Sequence, residues 1–393
     1  MANTYLSRTP SSTGNTKKFT ISYWIKRTGL GTEQDIFHVW SGSGSRSQIL
    51  FNSSNQLKLD LEGGNTNNLI TNRLFRDTSA WYHIVIVYDS DNSTSSDRLK
   101  IYVNGVRETS FATAQYPSSG STSQVNTTTQ HEISSYDGAG YYFEGSMSHI
   151  HFTDGYVYDA TAFGEYDANG VWKIKTSPSV TYGTNGFFIL KDGNSVTDQS
   201  GNSNNFTVAS GTLTNTEDSP SNVFCTLNPL DASSSGTFSN GNNTYGVGSV
   251  TWCPAKSTLA FSNGKYYCEA KGVSGTNLYV GVYDVDVARG SVQSEMDNNR
   301  IVYVSNGSIQ KTLTGNSEVT GLATYTTSDI IGCAVDKENG TVKFYKNGTL
   351  IHTETDSSVT NKTLCFGTQV NNSTLTYNFG NGYFGTTAVA SAG

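Results

Sequence analysis

Short runs in which apolar and polar residues alternate, each bounded by Gly, Ser or Asn, recur along most of this chain. In Phe19-Thr-Ile-Ser-Tyr-Trp-Ile-Lys26 the large apolar side chains share one face at a period of two, as in a half-buried strand. No segment shows convincing helical periodicity, and charged residues make up only 15% of the chain. Aromatic residues at 12% exclude a disordered chain. The pattern therefore predicts an all-β protein.

Two Asn-Gly pairs mark the same arrangement in both halves of the chain. Trp81-Tyr-His-Ile-Val-Ile-Val-Tyr88 is more continuously apolar than other runs, which predicts a strand buried on both faces. It precedes a strand that ends at Asn104-Gly105, and the run Asp329–Asp336 precedes one that ends at Asn347-Gly348. Asn-Gly is the strongest short-range hairpin signal because both residues tolerate positive φ. Two antiparallel jelly-roll β-sandwiches are the economical interpretation.

Residues 158–222 differ in character from the segments on either side and are dense in turn-forming residues. They still include Trp172, Phe187 and Phe188, which a solvated linker would not carry. We therefore predict a sandwich at 1–157, a packed connector at 158–222 and a second sandwich at 223–393.

The formal net charge is −7 and no long basic run is present, so we expect no nucleic-acid partner. No stretch approaches the roughly 20 apolar residues of a membrane span, so no membrane insertion is expected. The first residues lack the apolar core of a secretory signal, which predicts synthesis in a cytoplasm without export by the general route. The five cysteines fit neither a metal motif nor a disulfide framework, and we expect buried free thiols.

Several of these segments resemble known families. Phe19–Lys26, Trp81–Asp89 and Ile101-Tyr-Val-Asn-Gly105 resemble the laminin-G or concanavalin A-like jelly roll. The second half is similar to the SPRY domain, through the segments Gly264-Lys-Tyr-Tyr-Cys-Glu269, Val280-Gly-Val282, Asp329-Ile-Ile-Gly-Cys333 and Phe344-Tyr-Lys-Asn-Gly348. The tandem, with Tyr5-Leu-Ser-Arg-Thr-Pro10 and Gly145-Ser-Met-Ser-His-Ile-His-Phe152, also resembles structural proteins of tailed marine bacteriophages.

The resemblance implies a non-enzymatic protein of the virion surface, in a fibre, a tail or a capsid decoration, that contributes to host attachment by binding a cell-surface glycan. A structural adaptor that docks other virion proteins through the SPRY-like module is the alternative, and a polysaccharide depolymerase is the third. The expected partners are other virion proteins and a host surface glycan. We also expect a homo-oligomer, because closed symmetric assemblies are the rule.

Exposed aromatic rings suit sugar binding, because the apolar faces of pyranose rings stack on them while polar side chains bind the hydroxyl groups. Six tyrosines lie in or near loops rich in Asn, Asp and Ser. These candidate ligand contacts are Tyr136, Tyr141, Tyr142, Tyr156, Tyr158 and Tyr245.

Asp89-Ser-Asp-Asn-Ser-Thr-Ser-Ser-Asp97 gathers three carboxylates, those of Asp89, Asp91 and Asp97, in one predicted loop. Calcium takes about six to eight oxygen ligands, which Asp, Asn and Ser supply. The loop is a candidate calcium site, and a solvated β-turn is the simpler interpretation.

Two further groups of residues carry side chains suited to metal binding or catalysis. His149 and His151 share a face of a predicted strand, where they would chelate a transition metal or hydrogen-bond to neighbouring strands. Jelly-roll glycosidases need two carboxylates at the sugar bond. The nearest match to their Glu-x-Asp-x-x-Glu motif, Glu295-Met-Asp297, has Arg300 in place of the second Glu. We therefore expect no catalytic residues and, apart from the calcium candidate, no cofactor.

Overall fold

A computed structural model of the chain describes residues 3–42, 45–62, 68–191, 196–248, 252–287, 299–313 and 315–389. The chain forms two compact units, one of residues 1–215 and 219–223 and the other of residues 216–218 and 224–393. The predicted all-β class is confirmed: the described residues form antiparallel sheets with one short helix, α1 (Ser357–Asn361), and two 3-10 turns, Ser95–Asp97 and Ala160–Ala162. None of the described helical segments has the length and apolar character that crossing a membrane requires.

The first unit is a sandwich of two antiparallel sheets. Its strands are β1 (Tyr5–Arg8), β2 (Lys18–Arg27), β3 (Gln34–Trp40), β4 (Arg46–Phe51), β5 (Gln56–Asp60), β6 (Asn68–Leu74), β7 (Tyr82–Asp89), β8 (Leu99–Val103), β9 (Val106–Arg107), β10 (Phe111–Ala114), β11 (His131–Ile133), β12 (Gly145–Asp154), β13 (Gly164–Tyr166), β14 (Trp172–Ile174), β15 (Phe187–Ile189) and β16 (Thr207–Ser210). The described strands form an eight-stranded sheet, β10-β6-β5-β4-β3-β11-β1-β16, a six-stranded sheet, β15-β12-β2-β7-β8-β9, and the hairpin β13-β14. The core lies between the two large sheets.

Strand β7 is buried on both faces, as its sequence predicts. Ile84 and Ile86 belong to the core between the sheets, whereas Val85 and Val87 face a second apolar cluster on the outer side of the six-stranded sheet. The turn Ala160–Ala162 and the ring of Trp172 contribute to that cluster. The segment predicted as the connector therefore covers the outside of this sheet.

The rest of that segment adds strands to the sandwich, since β15 pairs with β12 and β16 pairs with β1. The carboxylate of Asp198 fixes the loop between β15 and β16. It accepts hydrogen bonds from the backbone N–H groups of Phe188, Ser200 and Asn204, each at 2.8 Å, and from the Ser200 hydroxyl. The turn-forming residues of this loop thus place their hydrogen-bond donors around one buried carboxylate.

The second unit is also a sandwich. Its strands are β17 (Leu227–Ala232), β18 (Thr237–Ser239), β19 (Thr244–Val247), β20 (Cys253–Phe261), β21 (Lys265–Ser274), β22 (Asn277–Asp284), β23 (Arg300–Val304), β24 (Ser308–Lys311), β25 (Ser317–Val319), β26 (Ile330–Asp336), β27 (Thr341–Lys346), β28 (Thr349–Thr355), β29 (Leu364–Asn371), β30 (Ser373–Asn378), β31 (Tyr383–Phe384) and β32 (Thr387–Ala388). The described strands form two seven-stranded sheets, β17-β20-β29-β22-β23-β24-β25 and β18-β19-β30-β21-β26-β27-β28, and the hairpin β31-β32. The five cysteines are free thiols; Cys225 is half-buried and the other four are buried.

Both Asn-Gly pairs form the predicted hairpins, β8-β9 and β27-β28. The φ angles are +48° and +82° at Asn104 and Gly105, and +50° and +81° at Asn347 and Gly348. Two successive positive φ angles match the right-handed twist of the flanking strands.

Candidate functional site

The outer face of the eight-stranded sheet carries a row of polar side chains. Along β3, β4, β5 and β11, core residues alternate with His38, Gln48, Asp60 and Glu132, which therefore point away from the core. His38 lies opposite Glu132 on one side and Gln48 on the other, and Gln48 lies opposite Asp60. We call these four residues the polar row; each is less than 9% exposed.

The loop of residues 134–144 lies over one end of this row and carries aromatic rings. The ring of Tyr136 is 4.5 Å from that of His38 and 6.4 Å from that of Trp40. The ring of Tyr141 meets Tyr136 edge-on at 5.6 Å. Trp40, Tyr136 and Tyr141 form what we call the aromatic cluster, in which Trp40 is 38% and Tyr141 51% exposed.

Hydrogen bonds hold the loop in place. The backbone N–H of Asp137 donates to His38 Nδ1 at 3.3 Å, and that of Gly138 donates to the Glu132 carboxylate at 2.9 Å. The Asp35 N–H donates to the carbonyl oxygen of Tyr141 at 2.6 Å. The polar row thus fixes the position of the aromatic cluster.

Burial suppresses charge beneath the cluster. It raises the pKa of Asp35 to about 8, although the Gln48 amide donates to both carboxyl oxygens at 2.9 Å and partly offsets this rise. Burial also lowers the pKa of His38 to about 4 and raises the pKa of Glu132. Near neutral pH, Asp35 and His38 are therefore mainly uncharged.

The groups that a ligand can reach are the exposed rings and the polar groups around them. Asp137 is exposed, and Arg46 is partly exposed while it pairs with Asp60 at 3.8 Å. Beyond Glu132, an open depression of about 450 Å³ is lined by hydroxyl and amide groups that include Ser7, Gln130 and Thr207. Rings beside hydrogen-bonding groups can stack on a sugar and bind its hydroxyl groups.

Family comparisons agree with this architecture. Residues 2–159 match the family model described as the concanavalin A-like lectin/glucanases superfamily, a laminin-G type, and residues 265–382 match the SPRY domain. The chain carries a concanavalin A-like domain followed by a SPRY domain. The aromatic cluster lies in the concanavalin A-like domain.

Solved structures similar to the chain include two SPRY domains. The SPRY domain of human HERC1 is 19% identical with a TM-score of 0.34, and the match covers 39% of this chain and 98% of that chain. The PSpry domain of TRIM65 is 17% identical with a TM-score of 0.33, covering 39% of this chain and 89% of that chain. No curated protein matches the chain.

The six tyrosines named from the sequence do not form one site. Tyr142 joins the edge of the aromatic cluster, because its hydroxyl donates to the Gly138 carbonyl at 2.9 Å. Tyr156 and Tyr158 stack on each other at 6.4 Å on the opposite side of the concanavalin A-like domain, where Tyr158 packs with the apolar cluster outside β7.

The expectation that Tyr245 lies in an exposed loop is wrong. It lies in β19, in the core of the SPRY domain, with no exposed surface, and its hydroxyl donates to the Pro254 carbonyl at 3.2 Å. The neighbouring Asn and Gly residues suggested a loop, whereas the turn ends before Thr244. Tyr245 therefore cannot contact a ligand at the surface.

The three aspartates of the candidate calcium loop each face a different basic side chain. Asp89 pairs with Lys18 at 3.6 Å, and Asp91 pairs with Lys17 at 3.7 Å. Asp97 pairs with Arg107 at 2.7 Å. In the part of the chain that the structure describes, no group of three or more His, Cys, Asp or Glu side chains could hold a metal ion.

We therefore expect Ca²⁺ at millimolar concentration to leave the melting temperature of the full chain unchanged, because each of the three carboxylates already faces its own lysine or arginine side chain. Differential scanning calorimetry with and without Ca²⁺ measures this. A rise in melting temperature that Asp91→Asn abolishes would contradict the expectation and establish the calcium site.

The two histidines of β12 are buried among aromatic rings. Both side chains point away from the core, as the sequence predicts, and their rings pack on the same Phe188 ring, at 5.6 Å for His149 and 3.9 Å for His151. The Nδ1 atom of His151 lies 2.9 Å from the Tyr182 hydroxyl. Hydrogen bonding and packing, the alternative to metal binding that the sequence left open, describe this pair.

One Ser–His pair resembles a nucleophile and its base, but its tautomer is wrong for catalysis. Ser22 Oγ lies 2.9 Å from His83 Nε2, and the indole N–H of Trp172 donates to His83 Nδ1 at 3.0 Å. Nδ1 is therefore the acceptor, and Nε2 carries the proton that faces the serine. Neither Ser22 nor His83 is exposed.

The glycosidase-like segment Glu295–Asp297 lies outside the described residues.

Proposed function

We propose that this chain is a non-enzymatic surface protein of a bacteriophage virion, and that its concanavalin A-like domain contributes to attachment by binding a glycan of the host cell surface. The observation that carries the glycan part is the aromatic cluster, whose exposed Trp40 and Tyr141 rings are held in place by the polar row. The virion part rests on the resemblance of the tandem to bacteriophage structural proteins.

The exposed faces of the two rings supply the free energy of binding. Each ring presents an apolar face to solvent, and covering that face with a sugar removes apolar surface from water. Because the hydrogen bonds to His38 and Glu132 already order the loop, the ligand does not have to order it. A preformed, shallow site of this kind suits a polymer or surface glycan that offers many copies of one sugar.

We expect the double variant Trp40→Ala, Tyr141→Ala to bind host-cell envelopes about 10- to 100-fold more weakly than the unmodified chain, because two stacking faces are lost. The measurement is retention of the purified full chain on envelopes, with soluble sugars as competitors. Tyr156→Ala is the matched control, because Tyr156 is 43% exposed but lies on the opposite side of the domain.

Loss of retention in Tyr156→Ala alone would contradict the proposed location of the site. Absence of retention would favour the adaptor function, in which the SPRY domain binds another virion protein. Release of reducing ends from host polysaccharide would contradict the non-enzymatic assignment.

A further inference from the structure

The SPRY domain has a groove on the outer face of the sheet that contains β26. The outward-facing residues of this inner strand are small, Gly332 and Ala334. The neighbouring strands carry large side chains: Tyr267 lies opposite Ala334 on one side, Lys343 lies opposite Ala334 on the other, and Tyr345 lies opposite Gly332. Ala334 lies on the floor of the groove, Tyr267 lies over Gly332, and the side chains of Tyr267, Lys343 and Tyr345 form the walls.

The groove is an open depression. It has a volume of about 380 Å³, and Lys265, Tyr266, Val335, Asp336 and Thr341 complete its lining. The rings of Tyr267 and Tyr345 meet at 6.5 Å and 78°, and Tyr267 is 52% exposed. A Cβ atom on Gly332 would lie 2.5 Å from the Tyr267 hydroxyl oxygen, so the absence of a side chain at Gly332 lets Tyr267 lie over the sheet.

The groove carries more positive than negative charge. Lys265 pairs with Asp336 at 3.2 Å, and Asp336 also accepts hydrogen bonds from Asn339. Lys343 has no hydrogen-bond or ion-pair partner among the residues that the structure describes. The lining thus contains two lysines and one aspartate, a net charge of +1. Glu269, which accepts a hydrogen bond from the Tyr267 hydroxyl at 3.0 Å, lies outside the lining.

We propose that this groove is a second carbohydrate site, which binds a carboxylate-bearing sugar with its ring against Tyr267 and Tyr345 and its carboxylate on the ammonium group of Lys343. An apolar ring face and a single anionic group are the two features that these side chains can recognise together. The site lies in a different domain from the aromatic cluster, and the proposal does not depend on the function assigned to that cluster.

An extended peptide fits the groove less well. Strand β26 is hydrogen-bonded to β21 on one side and to β27 on the other, so its backbone has no free edge to which a peptide strand could add. Recognition must therefore come from side chains, and the volume lies within the range typical of small-molecule sites.

The test is isothermal titration of the full chain with a hyaluronan tetrasaccharide, in which glucuronate alternates with N-acetylglucosamine. We expect binding that weakens about 10-fold or more in Lys343→Met, because a charge-assisted hydrogen bond is lost, and comparably in Tyr267→Ala. Lys271→Met is the matched control, since Lys271 lies on the same strand as Tyr267 but outside the groove lining. The same tetrasaccharide with its carboxyl groups reduced to alcohols should bind about 10-fold more weakly or worse.

Three results would overturn the proposal: no binding of the tetrasaccharide, equal binding of its carboxyl-reduced form, or equal weakening by Lys271→Met. Tetraglutamate that binds as tightly, with the same dependence on Lys343, would show that the groove recognises an acidic peptide instead. The Trp40→Ala, Tyr141→Ala variant should bind the tetrasaccharide normally, which separates failure of this proposal from failure of the glycan site in the concanavalin A-like domain.

Discussion

Replacing Asp154 with asparagine is expected to lower the free energy of unfolding of the concanavalin A-like domain by about 1–3 kcal/mol, the usual cost of leaving a buried donor without its acceptor. Asp154 is 7% exposed. One of its carboxylate oxygens accepts hydrogen bonds from the backbone N–H of Asn15 at 2.8 Å and from the side-chain amide of Asn126 at 2.6 Å. The other accepts from the backbone N–H of Asn185 at 3.1 Å.

This effect follows from the segments that this carboxylate joins. Asn15 lies in the segment before β2, Asn126 in the loop before β11, and Asn185 just before β15. The Asn185 side-chain amide also donates to the side-chain Oδ1 atom of Asn126 at 2.7 Å, so the three segments form one network. An asparagine at position 154 turns one acceptor oxygen into an NH₂ donor that faces existing donors, and at least one buried N–H then loses its partner.

Urea denaturation of the full chain, followed by tryptophan fluorescence, measures the change. Asp167→Asn is the matched control, because the Asp167 carboxylate also accepts backbone hydrogen bonds, from Asn169 and Val171, but in an exposed turn. We expect this control to change the free energy of unfolding by less than about 1 kcal/mol. An equally small effect of Asp154→Asn would show that the network does not stabilise the domain.

The Asp154 network also shows what the sequence could not predict. Its bonds join residues that are 139, 28 and 31 positions apart in the chain. Strand positions follow from local alternation, and β2, β7 and both Asn-Gly hairpins were therefore predictable. Which loop meets which depends on how the sheets close, and no local pattern of residues encodes that.

The residues of the aromatic cluster could be predicted from local sequence, but their meeting in one place could not. Tyr136 and Tyr141 lie in a polar loop, which marks them as candidates. His38 and Trp40 lie in β3, out of phase with the core residues Phe37 and Val39, so their outward direction could be predicted from the alternation of apolar and polar residues. That the loop at 134–144 would meet β3 required the pairing of β11 with β3, which becomes visible only in the folded sheet.

Lowering the pH from 7 to 4.5 is expected to reduce the free energy of unfolding of the concanavalin A-like domain by at least about 4 kcal/mol, through histidines that are buried in the neutral form. His151, whose pKa burial also lowers, adds to the loss from three other histidines. These three accept a hydrogen bond at a ring nitrogen: His83 from the Trp172 indole at 3.0 Å, His131 from the Asn126 N–H at 2.8 Å, and His38 from the Asp137 N–H at 3.3 Å. An imidazolium has no lone pair, so protonation breaks each bond and buries a charge.

The direction of this change follows from the pKa values of the histidines in the folded and unfolded states. Burial lowers the pKa of His83 to about 3 and the pKa values of His131 and His38 to about 4. In the unfolded chain each titrates near about 6.5. Between the pKa of a histidine in the unfolded chain and its lower pKa in the folded state, the unfolded state binds more protons than the folded state. The free energy of unfolding therefore falls as the pH falls through this range. Each histidine contributes a loss that approaches about 1.4 kcal/mol per pH unit.

Asp35 acts in the opposite direction. Its pKa is raised to about 8 in the folded state, so between about pH 4 and 8 the folded state binds the extra proton and acid favours folding. This gain, about 3 kcal/mol between pH 7 and 4.5, offsets part of the roughly 7 kcal/mol that the three histidines lose over the same range. Asp35→Asn removes the offset, and we expect it to make the loss of stability with acid steeper.

Tryptophan fluorescence during urea denaturation at pH 7 and pH 4.5 measures this change. In the Trp252→Phe variant the signal comes from the concanavalin A-like domain alone, because the other four tryptophans lie there: Trp24, Trp40, Trp81 and Trp172. His352→Gln, in the SPRY domain, should leave the pH dependence unchanged. A free energy of unfolding that is flat or rises from pH 7 to 4.5 would contradict the tautomers derived for His38, His83 and His131. Because the bond to His38 also holds the loop of the aromatic cluster, glycan binding by the folded protein is expected to weaken only as the pH falls through about 4, the pKa of His38 in the folded state.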